Sequence, residues 1–143
     1  YKKDKEGKVL PGSEVPLNTY IHNGARNAPA ENIVVHYNRS HALDKPKYFA
    51  APLTVLYHEL AHAYNSSHGT MLKGETEETV DGQPPTRVGN NERQVVGLTT
   101  DTPPFDFDND PTTPPTTTNP KPFTENGLNE EMGSSLRTAY TLS

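Results

Sequence analysis

The chain contains neither cysteine nor tryptophan. The first absence removes disulfides, thiolate nucleophiles and every metal site built on sulfur, so a bound metal has to sit among His, Asp and Glu. Large apolar residues are scarce: Leu, Ile, Val and Phe make 26 of 143 residues, about 18%, below the roughly 20% at which disorder competes with folding. A net charge of −5 is too small to hold the chain open by self-repulsion. A small core with much irregular chain is the expected outcome, in one domain spanning 1–143. No run approaches the ~18 apolar residues of a membrane span. The acidic balance and the lack of a dense Lys/Arg cluster weigh against a nucleic-acid partner. Gly-rich phosphate loops and a Gly-x-Ser-x-Gly elbow are also missing. Tyr1, with no charged-then-apolar leader after it, reads as the start of a piece of a longer chain.

Turn formers, in contrast, are plentiful, with ten Gly and 14 Pro. Residues 2–8 form a charged lead-in, and short apolar runs follow at Val9-Leu10 and Asn32–Tyr37. The second run, β-branched and bounded by turn residues, predicts a strand and with it a small N-terminal sheet. From Ala51 to Tyr64 good helix formers run uninterrupted after Pro52, predicting a helix from about 52 to 65. On its helical wheel Leu53, Leu56, Tyr57, Leu60 and Tyr64 share one side, expected to pack inward. His58 and His62, flanked by Val55 and Glu59, share the other, expected to face a cleft. Residues 69–89 have the composition of a long surface loop. Asn90-Asn91 offers an N-cap, and Gly97 an end, for a short helix near 91–96. The segment 101–122, rich in Pro, Thr and Asp, carries seven prolines in 22 positions and is expected to be a loop without regular structure. Helical character returns from Thr124 to Tyr140, with Gly133 as a break between two short helices.

His58-Glu59-Leu60-Ala61-His62 has the pattern His-Glu-x-x-His. Residues four apart on a helix stand one above the other, so two imidazoles can hold one Zn²⁺. The Glu beside the first then points at the open coordination position, where it can take a proton from the attacking water. The composition gives this pattern by accident only about 0.02 times in such a chain. A hydrolytic zinc site needs a third protein ligand. His68, six positions beyond His62, has the spacing of the last metzincin histidine, although Asn65 stands where that arrangement uses Gly. Glu92, at the head of the short helix, is the other candidate, and spacing does not choose between them. Asp106, Asp108 and Asp110 resemble a calcium loop, but Pro111 and Thr117 stand where it needs Gly and Glu. His22, His36 and His41 have no partners at metal spacing.

The runs LYHELAHAYNSSHGT, NNERQVVGL and TENGLNEEMGSSLRTAY resemble the effector metallopeptidases of the NleD kind, bacterial toxins that cut host proteins. The resemblance covers roughly 51–140. It implies that Glu92, the Glu of the Glu-Arg-x-x-x-Gly-Leu run, belongs to the active site and is the third ligand in preference to His68. A more distant similarity to the light chains of clostridial neurotoxins supports the same choice. Those zinc peptidases also carry a later Glu and an Arg-x-x-Tyr pair, matched here by Glu125, Arg137 and Tyr140. The resemblance implies that Glu125 orients a ligand histidine through its outer nitrogen. It also implies that Arg137 and Tyr140, expected on one helical face, donate to the oxyanion.

The expectation is a compact α+β, zincin-like metallopeptidase domain with Zn²⁺ on His58, His62 and Glu92, and Glu59 as general base and later proton donor. The resemblance further implies a secreted or translocated virulence effector that acts on a protein inside a target cell. An immunity protein or a chaperone is a further candidate partner. The alternative is a catalytically silent, zinc-stabilised domain that only binds another protein; Glu59 argues against it, because a structural site has no use for a base.

Overall fold

A computed structural model describes residue 30 and residues 32–107 and 110–141. Among these residues, two antiparallel hairpins and three α-helices make up a small mixed α/β fold. The first hairpin pairs β1 (Leu43–Lys45) with β2 (Tyr48–Ala50), Leu43 opposite Ala50. Helix α1 (Pro52–His68) follows at once. The second hairpin pairs β3 (Glu75–Glu78) with β4 (Thr86–Gly89), Glu75 opposite Gly89. It leads directly into α2 (Asn90–Val96), and a 3-10 turn at Lys121–Phe123 precedes α3 (Glu125–Glu131). Helices α2 and α3 both pack on α1, which places three helices around one site.

Helix α1 starts on Pro52, whose missing N–H has no partner to lose there. It ends one turn later than the 65 expected, at Gly69, which adopts φ 65° and donates its N–H to the carbonyls of Asn65 and Ser66. Its orientation overturns the expected one. The buried stripe is Thr54, His58, Ala61 and Asn65, whereas Leu53 and Leu60 are 56% and 47% exposed. Within that stripe, His58 meets Glu92 of α2 and Glu125 of α3, and Asn65 accepts from the Thr70 hydroxyl at 3.0 Å. The tyrosines cover a different surface: Tyr57 donates its hydroxyl to the Pro122 carbonyl, and Tyr64 stacks on Phe123 with centroids 4.4 Å apart.

Three further expectations fail for identifiable reasons. Residues 32–37 form no strand, because no neighbouring strand among the described residues supplies a ladder, and the segment runs beside α1 instead. Val9-Leu10 lies outside the described residues. Residues 69–89 are not one loop but contain the β3–β4 hairpin; the inward positions Thr76, Glu78 and Val88 include a charge, so the apolar alternation that betrays a strand is absent. No helix follows Gly133, which turns the chain at φ 70°. The Asn126 side chain takes the backbone N–H of Arg137 at 2.7 Å and donates to its carbonyl at 2.8 Å, replacing the bonds a helix would make. The described part of the 101–122 segment is irregular as expected apart from its last two residues, with a bridge between Phe105 and Thr116.

The described interior holds few apolar side chains, chiefly Tyr48, Ala61, Val88, Val95, Val96 and Phe107. Most of its polar residues are bonded in turn, Asn65 Nδ2 and His58 Nδ1 being the buried side-chain atoms there without a hydrogen bond. Fully buried Gln94 accepts from Leu72 N and donates to Thr70 O and Asn119 Oδ1, using every polar position of its amide near the middle of α2.

Candidate active site

His58 and His62 lie one turn apart on α1, and Glu92 reaches them from the first turn of α2. His58 Nε2 is 3.0 Å from Glu92 Oε2, His62 Nε2 is 3.1 Å from the same oxygen, and the two Nε2 atoms are 3.1 Å apart. Three ligand-type atoms thus form a near-equilateral triangle. Tetrahedral zinc with bonds of ~2.0–2.1 Å sets its ligand atoms roughly 3.3 Å apart, so this triangle needs to open only slightly to hold the ion. Two imidazoles and a carboxylate are also a donor set that zinc takes. Among the described residues this is the one His/Asp/Glu cluster of such compactness. His68 is elsewhere: its ring stacks on Tyr64 and its Nδ1 sits 2.9 Å from the Tyr64 carbonyl.

The other side of His58 meets α3. Nδ1 faces Glu125 Oε1 at 3.3 Å, at ion-pair distance though off the line of a well-formed hydrogen bond. Burial alone would lower the pKa of His58, but Glu125 and Glu92 outweigh it and push it up to about 9. Against their own burial, His58 and His62 hold the Glu92 carboxyl below the ordinary range, and His58 and Arg137 do the same for Glu125. Glu125 stands in the first turn of α3 because Thr124 caps that helix, its Oγ1 accepting from Gly127 N at 2.9 Å. Gly127 is required there: a Cβ would come within 1.9 Å of the Lys121 carbonyl.

Arg137 is buried, and its fork is committed. Nη1 lies 3.3 and 3.2 Å from the two Glu125 oxygens, Nη2 donates to Tyr140 O at 2.7 Å, and Nε donates to Ala139 O at 3.2 Å. Its guanidinium also covers the Tyr140 ring at 4.7 Å. Tyr140 lies beside His58, its ring centroid 6.4 Å from that of His58 and tilted by 33°. Burial first, then the nearby carboxylate of Glu92, raises its pKa.

Glu59 is exposed and, with His62, lines a cavity of about 450 Å³ between α1 and residues 33–38. Val34, Val35, Val55 and Leu56 supply apolar walls, and His36 and His41 also reach it. The site therefore opens on the Glu59 side and is closed on the Glu125 side. His22 lies outside the described residues. Sequence reasoning missed the cleft wall at 33–38, where its own strand expectation pointed to a different structure. It also missed buried Glu78 on β3, which pairs with Arg93 and accepts the N–H groups of Tyr140 and Thr141 at 2.8 and 2.9 Å. A single Glu in a Glu/Thr run carries no signal of burial.

The pattern that defines peptidase family M91, described as effector protein, matches residues 3–140. The chain belongs to that family. No curated protein and no solved structure matches it. Membership of M91 agrees with the similarity to NleD-kind effector metallopeptidases and makes this chain a peptidase-family effector, for which a protein substrate and delivery into host cells are the family expectation. No helix among the described residues is long and apolar enough to cross a membrane.

Proposed function

We propose that this M91 effector is a zinc-dependent endopeptidase of zincin-like arrangement that cleaves a protein of the target cell after secretion or translocation. The observation that carries the reading is the triangle of His58, His62 and Glu92 next to an exposed Glu59 on an open cleft. Zinc held by those three residues would lower the pKa of a coordinated water toward ~7 and polarise the substrate carbonyl. Glu59 accepts the proton of the attacking water and passes it to the leaving amine nitrogen. Tyr140 donates its phenolic proton in a hydrogen bond to the carbonyl oxygen as negative charge grows there. Arg137, each of whose three nitrogens already has a protein partner, acts through its neighbours by holding Tyr140 and Glu125, with one Nη2 N–H left that could reach the oxyanion. Glu125 orients His58 so that Nε2 turns toward Glu92 and His62, where zinc would be held. The substrate lies extended in the cleft against residues 33–38.

Glu59→Gln provides the test. N-terminal labelling of a target-cell lysate treated with the parent chain is expected to reveal new termini that disappear with the variant, while the variant keeps its zinc. Removal of the base lowers the rate about 10²–10⁴-fold. The same new termini with parent and variant would contradict the role of Glu59, and no new termini with the parent would return the chain to a zinc-stabilised interaction domain.

A further inference from the structure

Tyr140 sits in a segment with no helix or strand, yet both polar groups of its backbone are held by charged side chains. Its carbonyl accepts from Arg137 Nη2 at 2.7 Å, and its N–H donates to Glu78 Oε2 at 2.8 Å. The second Glu78 oxygen takes the next N–H, that of Thr141, at 2.9 Å. Glu78 Oε2 also meets Nη1 of Arg93, the residue after Glu92 on α2, and Arg93 Nε donates to Thr99 O at 2.8 Å. The Glu78 side chain is 3% exposed, so its charge has largely left water and depends on such partners for compensation. One carboxylate on β3 thus links the helix that carries Glu92 to the residues that carry the phenol.

We propose that Glu78 is a positioning residue for the reaction: with Arg93 and Arg137 it clamps the Tyr140 backbone, so that the phenol already stands beside His58 when substrate arrives. The inference rests on the role given to Tyr140 above. A donor acts on developing charge only to the extent that it is fixed beforehand. In a helix the backbone ladder would do the fixing. Here that ladder is absent, and the two charged side chains take its place. Glu78 touches neither substrate nor metal ligands in this scheme; it acts through Tyr140.

The experiment uses the full zinc-loaded chain labelled with 3-fluorotyrosine, the Tyr140 fluorine resonance being assigned by its loss in Tyr140→Phe. In Glu78→Gln, which keeps the size but leaves the two N–H groups without a charged acceptor, that resonance is expected to move toward the position of free fluorotyrosine while zinc stays at one per chain. With a fluorogenic peptide spanning a cleavage site found by N-terminal labelling, kcat is expected to fall about a hundredfold with KM little changed, and Glu78→Asp to recover part of it. In the Tyr140→Phe background the same substitution is expected to have almost no further effect, since both act at one point. An unmoved Tyr140 resonance, or a loss of kcat undiminished in the Tyr140→Phe background, would overturn the clamp. Unchanged kcat in Tyr140→Phe itself overturns the oxyanion role and the clamp's catalytic purpose together. If Glu78→Gln does not fold, Arg93→Lys is read by the same resonance, with the same result overturning the proposal.

Discussion

His58 carries more constraints than any other residue of the site. One ring nitrogen faces the two prospective ligand partners and the other faces Glu125, whose carboxylate is itself held by Arg137. A ligand histidine whose outer nitrogen is held by a carboxylate is fixed in tautomer and made more basic, and loss of such partners typically costs 10–100-fold in metal affinity. Glu125→Gln is therefore expected to weaken zinc binding by about that factor, measured by competition with a chelating dye. An unchanged affinity would reduce Glu125 to a helix-terminal charge. At this scale the sequence was highly legible where chemistry demands spacing. His58, Glu59 and His62 follow from one helical turn. Glu92, Arg137 and Tyr140 were visible through family resemblance, because their proximity depends on how three segments fold. Arg137 shows the remainder: the geometry commits its donors to Glu125 and to backbone carbonyls, which no spacing rule could reveal.

The elements were legible where they obey hydrophobic periodicity or capping rules. Pro52 opens α1, and Gly97 closes α2 at φ 96°. They were illegible where polar groups are buried. The β3–β4 hairpin hides behind Glu75–Glu78, since the inward carboxylate of Glu78 takes the place a Val or Ile would signal. The facing of α1 was inverted for the same reason: its core-facing stripe is Thr54, His58, Ala61 and Asn65. Glu78 also gives the hairpin a pH signature. Its own burial would raise its pKa, but the N–H groups of Thr141 and Tyr140 and the charge of Arg93 lower it below the ordinary 4.5. A carboxyl with a depressed folded-state value contributes stability above the unfolded value and loses it as pH falls through the folded one. Glu78→Gln is expected to melt below the parent at pH 5–7, with the gap closing as pH drops below 4.5. A gap that stays constant on acidification would show that the charge of Glu78 does not stabilise the fold.

Across the whole molecule, the scarcity of Leu, Ile, Val and Phe is answered by a polar interior. Gln94, Asn119, Asn129 and Glu125 are buried and bonded, and such networks hold only when their members are matched. With so little apolar burial, a metal that joins α1 to α2 is expected to contribute a substantial share of stability. A ligand at a thousand times its dissociation constant adds about 4 kcal/mol. Chelation is therefore expected to lower the melting temperature and zinc to restore it, an effect absent from His58→Ala. The most direct test of the account is metal analysis of the purified parent and of Glu92→Ala side by side. One zinc per chain in the parent and a greatly reduced content in the variant is the expected result. Equal zinc in both, or none in the parent, would contradict a site built from His58, His62 and Glu92.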